Sequence, residues 1–326
     1  MEWWDPGLAL AGLLVGVIVG LTGMGGGALM TPILVLFFGV PPLAAVSSDV
    51  VASLFMKPIG GLVHLRRGTV HLDLVRWLCL GSVPGAFCGV LVLRLFGDGE
   101  QLQDMVKILL GVVLTLASLA LVAKAYHTLR DRTRTRAAGT VIEPADALRV
   151  PVRRGATLVA GAVAGLIVGM TSVGAGSILI ISLLALYPRL TASQLVGTDL
   201  VQAVPLVASA SVGHLLFGDF SLGLTMAILV GAIPGVFLGA QASSRAPGGV
   251  IRRALALVML ASGIKLLGAS NGLVGAVVLG ALMLGSLMWA FIRVCHGEAA
   301  TAGLQRRRAA VYGRTCDPSG SYPPPG

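Results

Sequence analysis

Two stretches of this chain, 7–40 and 155–188, each run about 34 residues without an Asp, Glu, Lys or Arg. As one straight helix, either would be roughly 50 Å long at 1.5 Å per residue. That is too long for a bilayer core of about 30 Å. Each is interrupted near its middle, at Thr22-Gly-Met-Gly-Gly-Gly27 and at Thr171-Ser-Val-Gly-Ala-Gly176. The pattern predicts two broken elements, each a helical hairpin or two half-helices joined by an unwound turn.

The bilayer is implied by what surrounds them. The set AVILMFWYC makes up 56% of 326 residues, Gly adds 45 more, charged residues are 12%, and mean hydropathy is +0.90. A soluble domain carries about 25% charged residues, and so few charges cannot cover a water-facing surface. Disorder is excluded by the same hydrophobicity. The four cysteines (Cys79, Cys88, Cys295, Cys316) show no CxxC spacing, and Cys79 and Cys88 read as small core residues in apolar runs. In a soluble chain the net charge of +10 would point to nucleic acid; in a membrane protein it marks cytoplasmic loops instead. The fold class is therefore an all-α integral membrane protein. Seven further spans are predicted at 42–63, 73–93, 103–123, 192–215, 221–242, 250–268 and 272–292. Trp3 and Trp4 suit an interfacial belt, and the lack of Lys or Arg before them argues against a cleaved signal peptide.

The two halves repeat. At an offset of 149, Gly16, Gly20, Thr22, Gly25 and Gly27 fall on Gly165, Gly169, Thr171, Gly174 and Gly176. At an offset of 150, Asp49, His64, Gly81, Pro84, Gly85 and Gly89 fall on Asp199, His214, Gly231, Pro234, Gly235 and Gly239. The expected organisation is membrane repeat 1 (1–126), a polar cytoplasmic linker (127–154), membrane repeat 2 (155–268), an additional transmembrane helix (269–295) and a basic cytoplasmic tail (296–326). No fold is expected for linker or tail.

Loop charges orient the repeats. Loop 64–76 carries Arg66, Arg67 and Arg76, the linker is rich in Arg, loop 243–253 carries Arg245, Arg252 and Arg253, and the tail carries Arg306 to Arg308. These read as inside. The N-terminus, loop 94–107 with three acids, loop 214–221 and the turn at 269–271 read as outside. Sides alternate without conflict, and matched loops fall on opposite faces. That is an inverted-topology repeat, and it requires each broken element to return to the side it entered. The N-terminus is placed outside and the C-terminus in the cytoplasm.

Inverted repeats with broken helices are the architecture of secondary transporters, with substrate near the midplane at the breaks. Backbone groups freed at a break survive in a bilayer only where protein, water or substrate satisfies them. The half-helices beginning at Ala28 and Ser177 aim positive N-termini inward, an anion site without Lys or Arg. The backbone of Gly25, Gly26, Gly27, Gly174 and Gly176 lets a ligand approach. The hydroxyls of Thr22, Ser47, Ser48, Thr171, Ser172 and Thr198 have two uses open to them, bonding an anion or bonding back to their own helix. Gln202 lies one turn from Asp199 and can bond substrate or Asp199. An ionised Asp at bilayer depth costs at least ~2.5 kcal/mol, so the matched pair Asp49 and Asp199 are read as proton-coupling residues. Lys57, whose counterpart is Val207, has two uses open to it, counter-charge to the substrate or, the preferred one, snorkelling to the inner interface. His64 and His214 are read as interfacial residues capping loops. The matched glycines at 81, 85 and 89 and their copies are read as close-packing positions. No metal-ligand spacing appears among the five His, and no cofactor is implied. The string Gly23 to Ala28 loosely fits a dinucleotide fingerprint but has no preceding strand, so it is set aside.

The run Gly20-Leu-Thr-Gly-Met-Gly-Gly-Gly-Ala28, then Pro32, Gly39-Val-Pro-Pro42 and Ala45-Val-Ser-Ser-Asp49, with its second copy from Gly169, resembles the TauE/SafE family of sulfite exporters and related organosulfur-anion carriers. The resemblance covers about residues 7–292. It implies a multi-pass bacterial inner-membrane transporter of a small anion, driven by an ion gradient, whose partners are that anion and the bilayer. The second copy departs from the first, with Gly174-Ala-Gly176 for the glycine triplet and Tyr187-Pro-Arg189 for Gly-Val-Pro-Pro. Two rival readings stand beside a carrier: an intramembrane enzyme using Asp49 and Asp199, and an anion channel. Inversion itself is testable: cysteine-accessibility labelling is expected to place loops 64–76 and 214–221 on opposite faces, and finding both on one face overturns it.

Overall fold

A computed structural model describes residues 5–22, 26–66, 68–96, 99–138, 151–173, 176, 178–188, 190, 192–242 and 248–295. Among them the regular structure is entirely helical. The helices are α1 (Pro6–Thr22), α2 (Met30–Phe37), α3 (Pro42–Arg66), α4 (Leu72–Leu95), α5 (Glu100–Ala138), α6 (Arg154–Thr171), α7 (Ile178–Leu186), α8 (Ala192–Phe217), α9 (Leu222–Ala242), α10 (Gly248–Leu266) and α11 (Asn271–Cys295). Proline opens α1 and α3, where its fixed φ suits the first turn and its missing N–H costs nothing. His71 caps α4, its Nδ1 accepting from the Leu74 N–H at 3.3 Å. Among the described residues six helices are long and apolar enough to cross a membrane, and α1, the run Gly26–Phe37 and Asn271–Gly285 are shorter apolar stretches. The α5 helix buries Leu102, Val106, Leu110, Leu114 and Leu121 while exposing Ile108, Val112, Leu116 and Leu119 on its other side. An apolar face of that kind suits lipid rather than water.

Both broken elements form as expected and fold back. The first runs through α1, a single 3-10 turn at Gly26–Ala28, and the eight-residue α2. The second runs through α6, ends at Ser172 and resumes as the nine-residue α7. Each ends beside its own start. A Cβ placed on Gly7 would lie 3.4 Å from the Phe38 ring. The Tyr187 hydroxyl accepts from the Arg153 N–H at 2.8 Å and pairs with Thr157 at the head of α6.

Four glycine stripes at a spacing of four set the packing. Along α1 and α9, a Cβ on Gly12 or Gly16 would meet the carbonyls of Ile228 and Ala232, and one on Gly231, Gly235 or Gly239 those of Ala9, Leu13 and Val17. Along α4 and α6, Gly81, Gly85 and Gly89 face the carbonyls of Leu158, Ala162 and Leu166, and Gly161, Gly165 and Gly169 face those of Leu78, Ser82 and Ala86. Numbers rise together in both pairs, so each runs parallel, backbone on backbone. Lacking a hydrophobic force between helices in lipid, such approach is a main source of association. Two further interhelical pairs run antiparallel. In α3 and α8, Ser47 meets His214, the Ser211 hydroxyl donates to the Val50 carbonyl, and Gly60 faces Leu200. In α5 and α10, Gly111 faces Gly263, and the Ser118 hydroxyl donates to the Ala256 carbonyl at 2.8 Å.

One expectation is corrected. The segment from 127 was read as a linker without fold, but α5 continues to Ala138. Its Leu-Arg-Asp-Arg-Thr-Arg-Thr-Arg-Ala-Ala run holds no Gly or Pro, and Arg, Leu and Ala favour helix. The rest of the linker to 150 and the tail from 296 lie outside the described residues. From Gly275 onward the final helix, α11, belongs to a unit distinct from 1–274.

The stripes give a stability prediction. Gly235→Leu and Gly85→Leu are each expected to destabilise the detergent-purified protein by about 3 kcal/mol or more, since backbone blocks the added volume. Gly155→Ala, at a position open to space, is expected to change little. Thermal melting checks both.

Candidate functional site

The two breaks abut in the bundle interior. A Cβ on Gly27 would overlap the Ser172 carbonyl and crowd its hydroxyl at 2.8 Å. Only glycine allows the first break to lie against the second this closely. Ser172 takes the left-handed conformation, φ 57°, the one non-glycine residue with positive φ among the described residues. It closes α6, its N–H donating to the Val168 carbonyl at 2.7 Å. This turn sends its side chain across to the other half.

There it meets Asp49. The Ser172 hydroxyl donates to Asp49 Oδ2 at 2.7 Å, and the Thr31 hydroxyl donates to the same oxygen at 3.0 Å. Asp49 is wholly buried in α3, Thr31 lies in the first turn of α2, and Ser172 ends α6. One carboxylate thus ties the second leg of the first break to the second break. Its other oxygen, Oδ1, has no hydrogen-bond partner among the described residues. It faces Gly26, whose built Cβ would stand 3.5 Å away, with Ser53 Oγ 3.8 Å from the same point. An ionised carboxylate has about four acceptor positions, and a buried polar atom left unpaired costs about 1–3 kcal/mol.

The other expected residues divide in place and bonding. Ser47 pairs with His214 Nδ1 at 3.0 Å, and His214 Nε2 donates to the Gly169 carbonyl at 2.8 Å. A carbonyl only accepts, so in the neutral ring Nδ1 accepts from Ser47. Ser48 is buried and its hydroxyl has no partner among the described residues. Thr22 and Thr171 bond back to the carbonyls of Ile18 and Ile167, each at 2.7 Å. Thr198 Oγ1 accepts from the His71 N–H at 3.1 Å. Gln202 Oε1 accepts from the Ser82 hydroxyl at 3.0 Å, while its Nε2 has no partner among the described residues. Asp199 is buried in α8. Gly176 lies in the turn before α7, and Gly25 and Gly174 lie outside the described residues.

Two readings change. His214 is fully buried and bridges three helices rather than capping a loop, because α8 runs three residues past it and packs beneath the start of α3. Its match, His64, does hold a loop residue, Thr69, at 2.9 Å. Lys57 is buried at 6% exposure and does not reach the interface. Thr31 was not anticipated: a single hydroxyl in an apolar leg carries no signal until its partner is known.

The matched aspartates differ in surroundings. The counterpart of Ser172 is Gly23, and that of Thr31 is Ile180 or Ile181, depending on where the offset changes. None of these carries a hydroxyl, so the two-donor clamp belongs to Asp49.

A family model described as Sulfite exporter TauE/SafE matches residues 8–266, taking in both breaks and both aspartates. Three proteins of Bacillus subtilis (strain 168) are similar over most of the chain. The probable membrane transporter protein YjnA is 36% identical over 263 residues, covering 80% of this chain and 98% of that one. The probable membrane transporter proteins YdhB and YunE are 23% and 24% identical, each covering 80% of this chain and 99% and 96% of their own. No solved structure matches the chain.

The clamp yields a double-mutant cycle. Ser172→Ala is expected to cost about 1–3 kcal/mol of stability by removing a donor from a buried carboxylate. The same change in an Asp49→Asn background is expected to cost less, a coupling of about 0.5 kcal/mol or more that additive melting shifts would refute.

Proposed function

The chain belongs to the sulfite exporter TauE/SafE family and is a membrane transporter, not an enzyme, and from that premise we propose that it is a secondary carrier of a small anion, sulfite, a sulfonate or another organosulfur anion. The observation that carries the reading is the contact of the two breaks at Gly27 and Ser172, with Asp49 spanning them. Substrate binds at this junction, near the buried backbone of Gly26 and Gly27 and the hydroxyls of Ser48 and Ser53. The N-terminal ends of α2 and α7 supply the positive potential.

Transport runs by alternating access between two inverted halves. Supporting it, the matched helices α3 and α8 run antiparallel, as do α5 and α10. The first helix of each half packs parallel to the fourth of the other, α1 on α9 and α6 on α4. A two-fold axis in the membrane plane relates such pairs. The protein lies in the bacterial inner membrane with its N-terminus outside and its C-terminus in the cytoplasm.

Coupling is to protons through Asp49 and Asp199. Two anions do not share a dry site, so an anionic substrate requires the nearby carboxylate to be neutral. Asp49 is built for this: its Oδ2 is held by two hydroxyls, and its Oδ1 is left for a proton. Rings of like charge along a pore would favour a channel, and the buried charged residues described, Asp49, Lys57 and Asp199, form no such ring.

Proteoliposomes test this. An inward or outward proton gradient is expected to drive sulfite or sulfonate flux, and a broad anion panel with no gradient-dependent flux defeats the substrate class. Asp49→Asn and Asp199→Asn are each expected to lower gradient-driven flux by about 100-fold, within the range for loss of a proton-transfer group. Retained coupled flux in both variants removes them as proton sites.

A further inference from the structure

Lys57 is the one lysine or arginine buried among the described residues, and nothing above uses it. Its place is set by the α3–α8 register. Ser47 with His214, Val50 with Ser211 and Gly60 with Leu200 put α3 residue 57 at the level of 204 on α8. The same register puts the matched positions 55–56 and 205–206 opposite one another, so Lys57 lies within two residues of the point where the matched helices cross. Asp49 stands eight residues before it on α3, about 12 Å along the axis. Asp199 stands at the level of residue 62, about 7 Å beyond it on the other side. The lysine is thus bracketed by the two matched carboxylates, Asp49 toward one end of the crossing and Asp199 toward the other.

Its own counterpart is Val207, also buried. By the register, position 207 lies at the level of residue 54, about one helical turn from Lys57 across the crossing. Two lysines there would set like charges together in a dry interior. One suffices, because a group near the axis of a two-fold frame has similar access to either copy of anything placed off it. Asp49 takes the Thr31 and Ser172 hydroxyls, and the sequence counterparts of those two residues, Gly23 and Ile180 or Ile181, carry none.

We propose that Lys57 is a positioning residue of the transport cycle, one ammonium serving as counter-charge to Asp199 in this conformation and to Asp49 in the conformation facing the other way. The inference rests on the alternating-access reading above, although its electrostatic half can be measured without any transport. A single exchanged cation keeps the dry core from holding two bare carboxylates at once.

Two experiments on the full chain decide it. First, melting of detergent-purified Lys57→Met, Asp199→Asn, Asp49→Asn and the two doubles with Lys57→Met gives two cycles. Coupling is expected in both, with the double containing Asp199→Asn regaining most of the melting temperature lost by Lys57→Met. No coupling in either, or coupling to Asp199 alone, overturns a shared counter-charge. Second, sulfite flux in proteoliposomes is expected to fall about ten-fold or more in Lys57→Val, the scale on which removing one partner of a buried charge pair acts. Moving the cation in Lys57→Val/Val207→Lys is expected to recover at least about half of the wild-type flux, since either side of the axis serves. A folded double variant as inactive as Lys57→Val overturns the proposal. Should the wild-type chain move no anion, the carrier reading fails, and the melting cycles alone decide the role of Lys57.

Discussion

A helix broken inside a bilayer frees backbone groups that lipid cannot bond, and everything distinctive in this chain follows from where it breaks. Each break is covered by the other. Gly27 lies on Ser172, and Asp49 draws hydroxyls from both sides of the junction. The halves must therefore interlock, and the glycine stripes are how they do it. The first helix of each half lies backbone to backbone with the fourth helix of the other, through Gly231, Gly235 and Gly239 on one side and Gly81, Gly85 and Gly89 on the other. The stripes fix the breaks against each other, and the junction is the payoff of that fixed approach.

Repetition makes the frame symmetric, and substitution makes the site asymmetric. His214 is locked between Ser47 and the Gly169 carbonyl. The position matching Ser47 is Gly197, which has no side chain to offer His64, so Thr69 from the adjoining loop takes that place. Asp49 has two hydroxyl donors where the second copy has Gly23 and isoleucine. The same positions thus bear different polar side chains at the end of the bundle around Ser47 and His214 and at the end around His64. On the alternating-access reading proposed above, a difference of that kind sets the relative stability of the two states, because each contact belongs to only one of them.

Much of this was legible because it follows from counting. Thirty-odd uncharged residues exceed one span, so 7–40 and 155–188 had to break, and the glycine-rich turns said where. Matched Gly81, Gly85 and Gly89 with their copies showed the packing faces before any partner was known. What was not legible depends on pairing across the halves. No local pattern marks Thr31 as the donor to a residue 18 positions away, or Ser172 as one to a residue 123 positions away. His214 looked interfacial because it stands at the end of the predicted span 192–215, but α8 passes beneath α3 at that level. Lys57 looked able to snorkel by its distance from the loop, a one-dimensional measure that ignores a helix crossing over it. The polar run after 127 looked unstructured by charge, yet it holds nothing that stops a helix already under way.

The crossing of α3 and α8 deserves a mechanical reading as well as an electrostatic one. Both helices carry an unmatched proline beside it, Pro58 and Pro205. Each ring removes one backbone donor, so the carbonyls of Leu54 and Val201 lose their usual partners and each helix bends more easily there. The prolines are not copies of one another: residue 150 positions after Pro58 is Ala208, and the one 150 before Pro205 is Phe55. The two prolines thus stand at different matched positions but at one level of the crossing. A bend at that level changes the tilt of both Asp49 and Asp199 relative to Lys57, since the two carboxylates lie on opposite sides of it. The bending point and the buried charge therefore coincide, and a change in helix angle is also a change in which carboxylate the cation faces.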